Sequence, residues 1–536
     1  MRNKNYVFFV LGILFMLISC ASIEKKQEKS SKPNIIFLLS DDQRDNTFGA
    51  MGHPIVKSPN VDELINKGVR FSNTYIAEPI CASSRAALFT GTYERVNGVG
   101  FTSVYSLSES QWKESYPELL RKNGYYTGFI GKFGVEYYTF KGKASEKFDY
   151  WRAHDGWSKF WPKGLENCSA YSDLKEDIIT PIMGESIEDF LQKTPEDKPF
   201  CLSVSFSVPH GSQIMSMHPE SEMAEICLEP ANNYEKLQGT EFYDTLYRNN
   251  VVRIPKETTK DPYRFIPEYM LDQQKGRATQ TYIYDYDTIS CKEHYIRYYQ
   301  QISGMDKVIG DMVKSLKEKG LDKNTIIIFA SDHGLLMGEY GMGGKALLYD
   351  LASKIPCFIY DPRLPESERG RNIKELVSSL DITSTILDYA GIESPKAMQG
   401  TSLTPLISGT QKDWRKELFL ESFFTGRDNP FCEGIRKGDW KYIRMYRGGF
   451  WGYNEADLDF TNKNPGYEQL FNLKDDPKEK NNLIQQYEGS ELLAELRGKT
   501  ANYASDMNKT RVDYSKTHEI ALRKKNKNKK TKKNKK

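Results

Sequence analysis

The chain has 536 residues, 75 of them Lys or Arg against 72 Asp or Glu, and a formal net charge of +3. That length is more than one simple core needs and predicts a large domain with a smaller one attached. Much of the lysine excess sits in Lys524 to Lys536, so the body is close to neutral or slightly acidic and the overall charge does not indicate a nucleic-acid-binding face.

Taken from its beginning, the chain opens with Arg2 and Lys4 ahead of an apolar run from Tyr6 to Ile18. This is the build of an export signal over 1–19, and the run is short for a membrane-spanning helix. Leu17-Ile18-Ser19-Cys20 resembles a bacterial lipobox, which implies a lipid anchor at Cys20. Export then places the protein on an outer membrane or cell surface, with the periplasm as the alternative; an ordinary signal peptide or an uncleaved anchor would equally carry it out of the cytoplasm. A polar linker covers 20–32.

Asn34 to Ser40 reads as a continuous apolar strand that stops abruptly at Asp41-Asp42. Strand-like runs recur at Tyr125 to Ile130, Phe200 to Ser207, Thr325 to Ala330 and Pro356 to Tyr360. Helical patterns fall between them at Val61 to Lys67, Tyr116 to Asn123, Ile182 to Gln192, Lys292 to Lys319 and Leu376 to Ala390. Strands alternating with helices predict an α/β domain over 33–413, with a largely parallel sheet covered on both faces. Gly211 to Ser290 has no clear period and reads as a loop-rich insertion over the catalytic face. From about Trp414 short segments alternate with turn residues, which predicts a small antiparallel sheet and a terminal helix near Glu491 to Tyr503 within a subdomain at 414–510. The Lys-rich tail at 511–536 has little to bury and reads as disordered.

Of eight cysteines, Cys20 is assigned to the anchor and Cys81 to chemistry. Cys201 and Cys357 lie in strand-like runs and read as buried thiols. Cys168, Cys227, Cys291 and Cys432 are free to pair in an oxidising compartment, with no connectivity preferred.

Asp41-Asp42 at one strand end and Ser331-Asp332-His333-Gly334 at another bring three carboxylates and an imidazole to one sheet edge. An isolated Asp-Asp pair would more often cap a turn. A second acidic cluster at an equivalent strand end calls instead for a cation, and oxygen donors at this density suit calcium or magnesium better than zinc.

The segment Cys81-Ala82-Ser83-Ser84-Arg85, followed by Thr90-Gly91, resembles the signature of the type I sulfatases. Further pieces in the family's order are NIIFLLSDDQR, GYYTGFIGKFG, SFSVPH, YYQQISGMDKVIG, TIIIFASDHG and GGKALLYD, so the resemblance runs over nearly all of Pro33 to Asp506. It implies an alkaline-phosphatase-like fold: a large mixed sheet between helices, with a small C-terminal subdomain holding a four-stranded antiparallel sheet. It also implies conversion of Cys81 to formylglycine (3-oxoalanine) by a maturation enzyme. The hydrated aldehyde has two hydroxyls on one carbon, one to attack sulfur and one to expel sulfate. The match departs at Ser83, where proline or alanine is more usual.

By the same resemblance Asp41, Asp42, Asp332 and His333, with the modified residue 81, hold one calcium ion. Arg85 is implied to hold the formylglycine hydroxyl and screen the aspartates, Lys132 and Lys345 to grip sulfate oxygens, and His210 to act as general acid at the leaving oxygen. Many relatives carry a histidine two or three residues after the lysine matching Lys132; here Gly134 and Val135 stand there, so either another residue such as Glu136 or His154 supplies the function or the second step is slower. Asp306 is read as structural. The expected function is hydrolysis of sulfate esters on a sulfated polysaccharide or its oligosaccharides, with Trp151, Trp157 and Trp161 suited to stacking on sugar rings. The alternatives are a phosphonate or phosphate ester hydrolase of the same superfamily, and a non-catalytic glycan-binding surface lipoprotein.

Overall fold

A computed structural model of the chain describes residues 32–510, apart from 104–105, 136–141, 218–240, 257–261, 272–287, 412, 426–428, 449–452 and 454. The signal and lipobox with Cys20, Cys227, Glu136 and the tail all lie outside the described residues.

The main sheet contains β1 (Asn34–Ser40), β2 (Val69–Phe71), β3 (Tyr126–Lys132), β4 (Tyr150–His154), β5 (Phe200–Ser205), β6 (Thr325–Ser331), β7 (Cys357–Tyr360) and β8 (Arg371–Ile373), in the spatial order β8-β2-β7-β6-β1-β5-β3-β4. The helices that matter here are α1 (Pro59–Lys67), α2 (Cys81–Thr90), α3 (Tyr116–Lys122), α4 (Ile179–Lys193), α5 (Gly211–Met215), α6 (Thr288–Glu318), α7 (Ser379–Tyr389) and α8 (Glu491–Thr510). All seven residues of β1 are buried, which is why the strand reads apolar without alternation. Ile36 and Leu38 pack into a layer with α1, α4 and α6, whereas Ile35, Phe37 and Leu39 pack into the opposite layer with α2, α3 and α7.

The sheet is mixed. β1 runs parallel to β5 and β6, and β3 parallel to β4 and β5, while β7 is antiparallel to both β6 and β2. Ser40 pairs with Ser331 across β1 and β6, so the acids that follow each strand emerge side by side. A second sheet of β9 (Glu417–Ser422), β10 (Phe431–Lys437), β11 (Trp440–Tyr446) and β12 (Tyr467–Asn472) is antiparallel throughout. Leu493 and Leu496 of α8 pack on Ile435, Tyr442 and Leu470 of that sheet.

Several boundaries differ from the sequence reading. The strand expected to end at Ile130 continues through Gly131 to Lys132, because Gly131, at φ +94, passes so close to the Ser205 carbonyl that a Cβ would lie 2.0 Å from it. Hydropathy stops at Ile130; the backbone pairing does not. The terminal helix runs past Tyr503 to Thr510, since Ala504 and Met507 extend its buried stripe. The long helix begins at Thr288 rather than Lys292. Within 211–290 the described residues form α5, short helical turns at Glu241–Thr245, Pro262–Arg264 and Glu268–Leu271, and the start of α6.

The pairing open to Cys168, Cys291 and Cys432 does not occur among the described residues, where each is a buried cysteine outside any disulfide, as are Cys201 and Cys357. Asp306 is structural as expected: its carboxylate accepts the Val61 backbone N–H at 2.7 Å and the Asn60 amide at 2.9 Å, serving the first turn of α1. No helix among the described residues is long and apolar enough to cross a membrane.

Candidate active site

Four adjacent parallel strands deliver their C-terminal ends to one place. β6 supplies Asp332 and His333, β1 supplies Asp41 and Asp42, the turn after β5 supplies His210, and β3 ends on Lys132. The nucleophile candidate arrives from above the sheet: Cys81 is the first residue of α2, a helix buried over its whole length. A helix N-terminus favours a negative charge there.

Cys81 Sγ lies 3.0 Å from Lys345 Nζ, 3.2 Å from His333 Nε2 and 3.6 Å from Asp41 Oδ1. Burial and the Asp41 charge push this thiol up, yet Lys132, Lys345 and His333 together hold it well below the ordinary thiol range. Lys345 Nζ also donates to Asp42 Oδ1 at 2.5 Å, and Lys132 Nζ to Asp41 Oδ2 at 2.5 Å. Both carboxylates resist the cost of burial for that reason; Asp42 is lowered to about 2, with Lys345 the leading opponent of desolvation.

The backbone is bent to achieve this. Asp42 sits at φ +67, a conformation rare for a non-glycine residue, and is held there by its N–H on Asp332 Oδ1 (3.2 Å) and by the Tyr298 hydroxyl on its carbonyl (2.9 Å). Ala346, beside Lys345, has φ +71 and is pinned by its N–H on the Pro79 carbonyl and by Ser422 Oγ on its own carbonyl. Strain of this kind persists where the surroundings over-determine it, and here it aims the two members of the Asp42–Lys345 pair at each other.

Arg85 binds the acids directly. Its guanidinium grips Asp332 Oδ2 through Nε (3.1 Å) and Nη2 (2.9 Å), lies 3.4 Å from Asp41, and donates to the Lys132 carbonyl and to Ser205 Oγ. Asp332 is raised to about 6 by burial and by Asp41, with His333 and Arg85 opposing. Three carboxylates therefore face three fixed cations.

Whether a metal fits is decided by the donors. Donor atoms of Asp41, Asp42, Cys81 and His333 all lie within 4.8 Å of one another. Two donors on opposite sides of a calcium ion, each at about 2.4 Å, are ~4.8 Å apart, so the cluster has the right span. His333 Nδ1 donates to the Gly334 carbonyl at 2.9 Å, which leaves Nε2 as the nitrogen turned to Cys81 and available as a ligand. Sulfur at position 81 is the one soft donor; an aldehyde-derived oxygen there would make oxygen the majority, suited to calcium or magnesium. Asp332, also expected as a ligand, falls outside this group of four but borders it, its Oδ1 3.5 Å from His333 Nε2.

His210 lies at the open side of the site, its Nε2 3.7 Å from Asp42 Oδ2. Ser212 N–H donates to His210 Nδ1 at 3.1 Å, so in the neutral ring the proton sits on Nε2. His154 turns elsewhere, with Nδ1 on the Tyr171 hydroxyl (2.7 Å) and Nε2 toward Ser207 Oγ (3.2 Å), and does not stand in beside Cys81. Gly134 has φ +68 and a Cβ there would lie 2.7 Å from Arg85 Cδ, so this backbone takes no side chain at that position. Ser83 Oγ accepts the Phe101 N–H at 3.4 Å. Of the three tryptophans, Trp151 packs among Phe129, Phe133 and Phe148, Trp161 donates to the Met217 carbonyl, and Trp157 alone is exposed.

Three supporting residues were not singled out from the sequence: Ser205, Ser212 and Tyr298. Ser205 opens SFSVPH, Ser212 lies two residues beyond it and Tyr298 opens YYQQISGMDKVIG, but serine and tyrosine in such runs carry no signal until their partners are known.

Comparison with known proteins bears on the family and the fold. A family model described as Sulfatase matches residues 33–392, and one described as N-sulphoglucosamine sulphohydrolase, C-terminal, matches 338–506. An N-acetylglucosamine-6-O-sulfatase of Bacteroides thetaiotaomicron is 26% identical over 92% of this chain and 89% of its own length. An ulvan-active sulfatase of Formosa agariphila is 25% identical over 91% of this chain and 85% of its own. A protein solved in complex with its substrate D-glucosamine-2-N,6-O-disulfate superposes with a TM-score of 0.66 at 22% identity, covering 89% of this chain and 98% of its own.

Proposed function

The chain belongs to the sulfatase family, of the alkaline phosphatase superfamily, and from that premise we propose that it hydrolyses sulfate esters on a sulfated polysaccharide or its oligosaccharides, with Cys81 matured to formylglycine and one calcium ion bound. Membership makes it a sulfuric ester hydrolase. The names of relatives acting on sulfated amino sugar and on ulvan support the glycan as substrate class. The observation that carries the mechanism is the position of Cys81, between a pair of buried aspartates and two lysines at the N-terminus of α2.

Asp41, Asp42, His333 and residue 81, with Asp332 beside them, would hold the ion, which would supply Lewis-acid charge to the site. The formylglycine hydrate supplies the attacking hydroxyl. The remaining work belongs to the side chains. Lys345 faces the atom at position 81 from 3.0 Å, so its charge is in place as negative charge grows on the sulfate oxygens, and Lys132 is held across Asp41 from it. Arg85 fixes Asp332 and opposes the rise that burial imposes on its carboxyl. His210 turns Nε2 to the open side, with the side chain 21% exposed, and in its protonated form gives a proton from Nε2 to the leaving oxygen and is left as the neutral ring. Three cations balance three carboxylates before any metal binds; a divalent ion then leaves an excess of two positive charges for an anionic substrate.

The N-terminal segment supports export with a lipid anchor at Cys20, and maturation requires a formylglycine-generating partner. The deciding experiment is release of sulfate from a panel of defined sulfated oligosaccharides by the purified full chain, beside matched phosphate esters. Turnover of at least one sulfated saccharide, faster than its phosphate counterpart, is expected. Preference for phosphate, or no turnover at all, overturns the reading.

A further inference from the structure

Away from this site a cleft of about 910 Å³ opens between the loop after β1 and the segment after β12. None of Asp41, Asp42, Cys81, Lys132, His210, Asp332 or Lys345 lines it. Its wall carries Arg44, Arg253, Lys256, Lys354, Arg436 and Lys478.

The acids of the same wall are already engaged. Arg44 holds Glu339 at 2.7 Å, Lys354 holds Asp45 at 3.3 Å, and Lys441 from β11 holds both Asp350 and Glu479 at 2.7 Å. Arg253, Lys256 and Lys478 are exposed and have no ion partner among the described residues. Arg436 differs from them. β10 carries it inward until it is only 8% exposed, its Nη1 donates to the Trp440 carbonyl at 3.3 Å, and its Nε has no hydrogen-bond partner. The Tyr75 hydroxyl and the charge of Asp350 lie near it, but no carboxylate comes to ion-pair distance among the described residues, and its Nε is left for a further acceptor.

The size and the spread of charge narrow the ligand. A single small anion needs one guanidinium and little space, whereas this cleft sits at the upper end of ligand-site volumes and distributes its surplus cations around the wall. Such an arrangement matches a ligand with several anionic groups on a rigid frame, and guanidinium and ammonium groups both recognise sulfate oxygens.

We propose that the cleft binds sulfate groups of a polyanionic saccharide at a distance from the ester being cleaved, holding the polymer while one of its esters is presented to residue 81. This rests on the glycan substrate proposed above. The test is equilibrium binding of a sulfated oligosaccharide to the full chain carrying Cys81→Ala, with and without the charge reversals Arg253→Glu, Lys256→Glu and Lys478→Glu. These positions are exposed, and a melting curve confirms that the reversed chain is folded. The reversals are expected to weaken binding about tenfold or more, the desulfated oligosaccharide to bind no better to either chain, and inorganic sulfate at equal sulfate concentration to compete far less well than the oligosaccharide. Unchanged affinity after reversal overturns the proposal. Equal competition by inorganic sulfate overturns it too, because the cleft would then take a free anion. The reading of function fails separately, on absence of turnover by the unaltered chain.

Discussion

Lys345→Ala separates two roles that the geometry gives to one ammonium. Nζ contacts Asp42 Oδ1 at 2.5 Å and Cys81 Sγ at 3.0 Å, and the side chain is 3% exposed. Alanine leaves the Asp42 carboxylate buried, with the imidazoles of His333 (Nδ1 at 3.2 Å) and His210 (Nε2 at 3.7 Å) as its remaining neighbours. Removing one partner of a buried pair costs about 3–5 kcal/mol of stability. A divalent ion bound to Asp42 would offset part of that, so the loss should be smaller in calcium than in chelator. Catalysis is a separate loss: a preorganised donor aimed at developing charge is worth ~10²–10³ in kcat, or about 2.7–4 kcal/mol. Melting curves in calcium and in chelator, together with kcat on a sulfated oligosaccharide, measure both. A kcat within about threefold of the parent, or a destabilisation that calcium does not reduce, would refute the double role.

The metal itself is testable by binding linkage. Calcium at about 100 times its dissociation constant should add ~2.7 kcal/mol to stability, and Asp41→Asn should abolish most of that increment in the same melting experiment. Cys81→Ala should leave the fold in place, as judged by circular dichroism, and remove turnover; the peptide containing Cys81 from the mature protein should have lost one sulfur and two hydrogens and gained one oxygen. An unmodified cysteine in active protein would contradict the formylglycine route. His154 makes stability depend on pH. Burial first, then Lys132 and Arg85, lower it from 6.5 to about 3, so between those values the unfolded chain binds a proton that the folded chain does not. Stability is therefore lost as pH falls below 6.5, by about 1.4 kcal/mol per unit from this group. His154→Gln should flatten that part of a urea-denaturation series; an unaltered slope would show that the ring is charged in the fold.

How much of this was legible in the chain depends on the range over which each feature is decided. The apolar run NIIFLLS, the acids that end it, the Ser-Asp-His-Gly end of a second strand and the Cys81-to-Arg85 segment are local patterns, each set by a few consecutive residues, and each landed where it was expected. A strand buried on both faces has to be apolar throughout, and charges that follow it have to emerge at its end. Partner choice is decided differently. Lys345 meets Asp42 across 303 positions and Arg85 meets Asp332 across 247, so no window of sequence reveals that one lysine serves both Asp42 and Cys81, or that Arg85 spends its guanidinium on Asp332, the Lys132 carbonyl and Ser205. The turning of His154 away from the nucleophile and the burial of Arg436 beside an open cleft are of the same kind. Residue types and their local order determined the chemistry available to this protein; which charges neutralise one another, and which are left over to meet an anion, was decided only when strands distant in sequence were packed edge to edge in a low-dielectric interior.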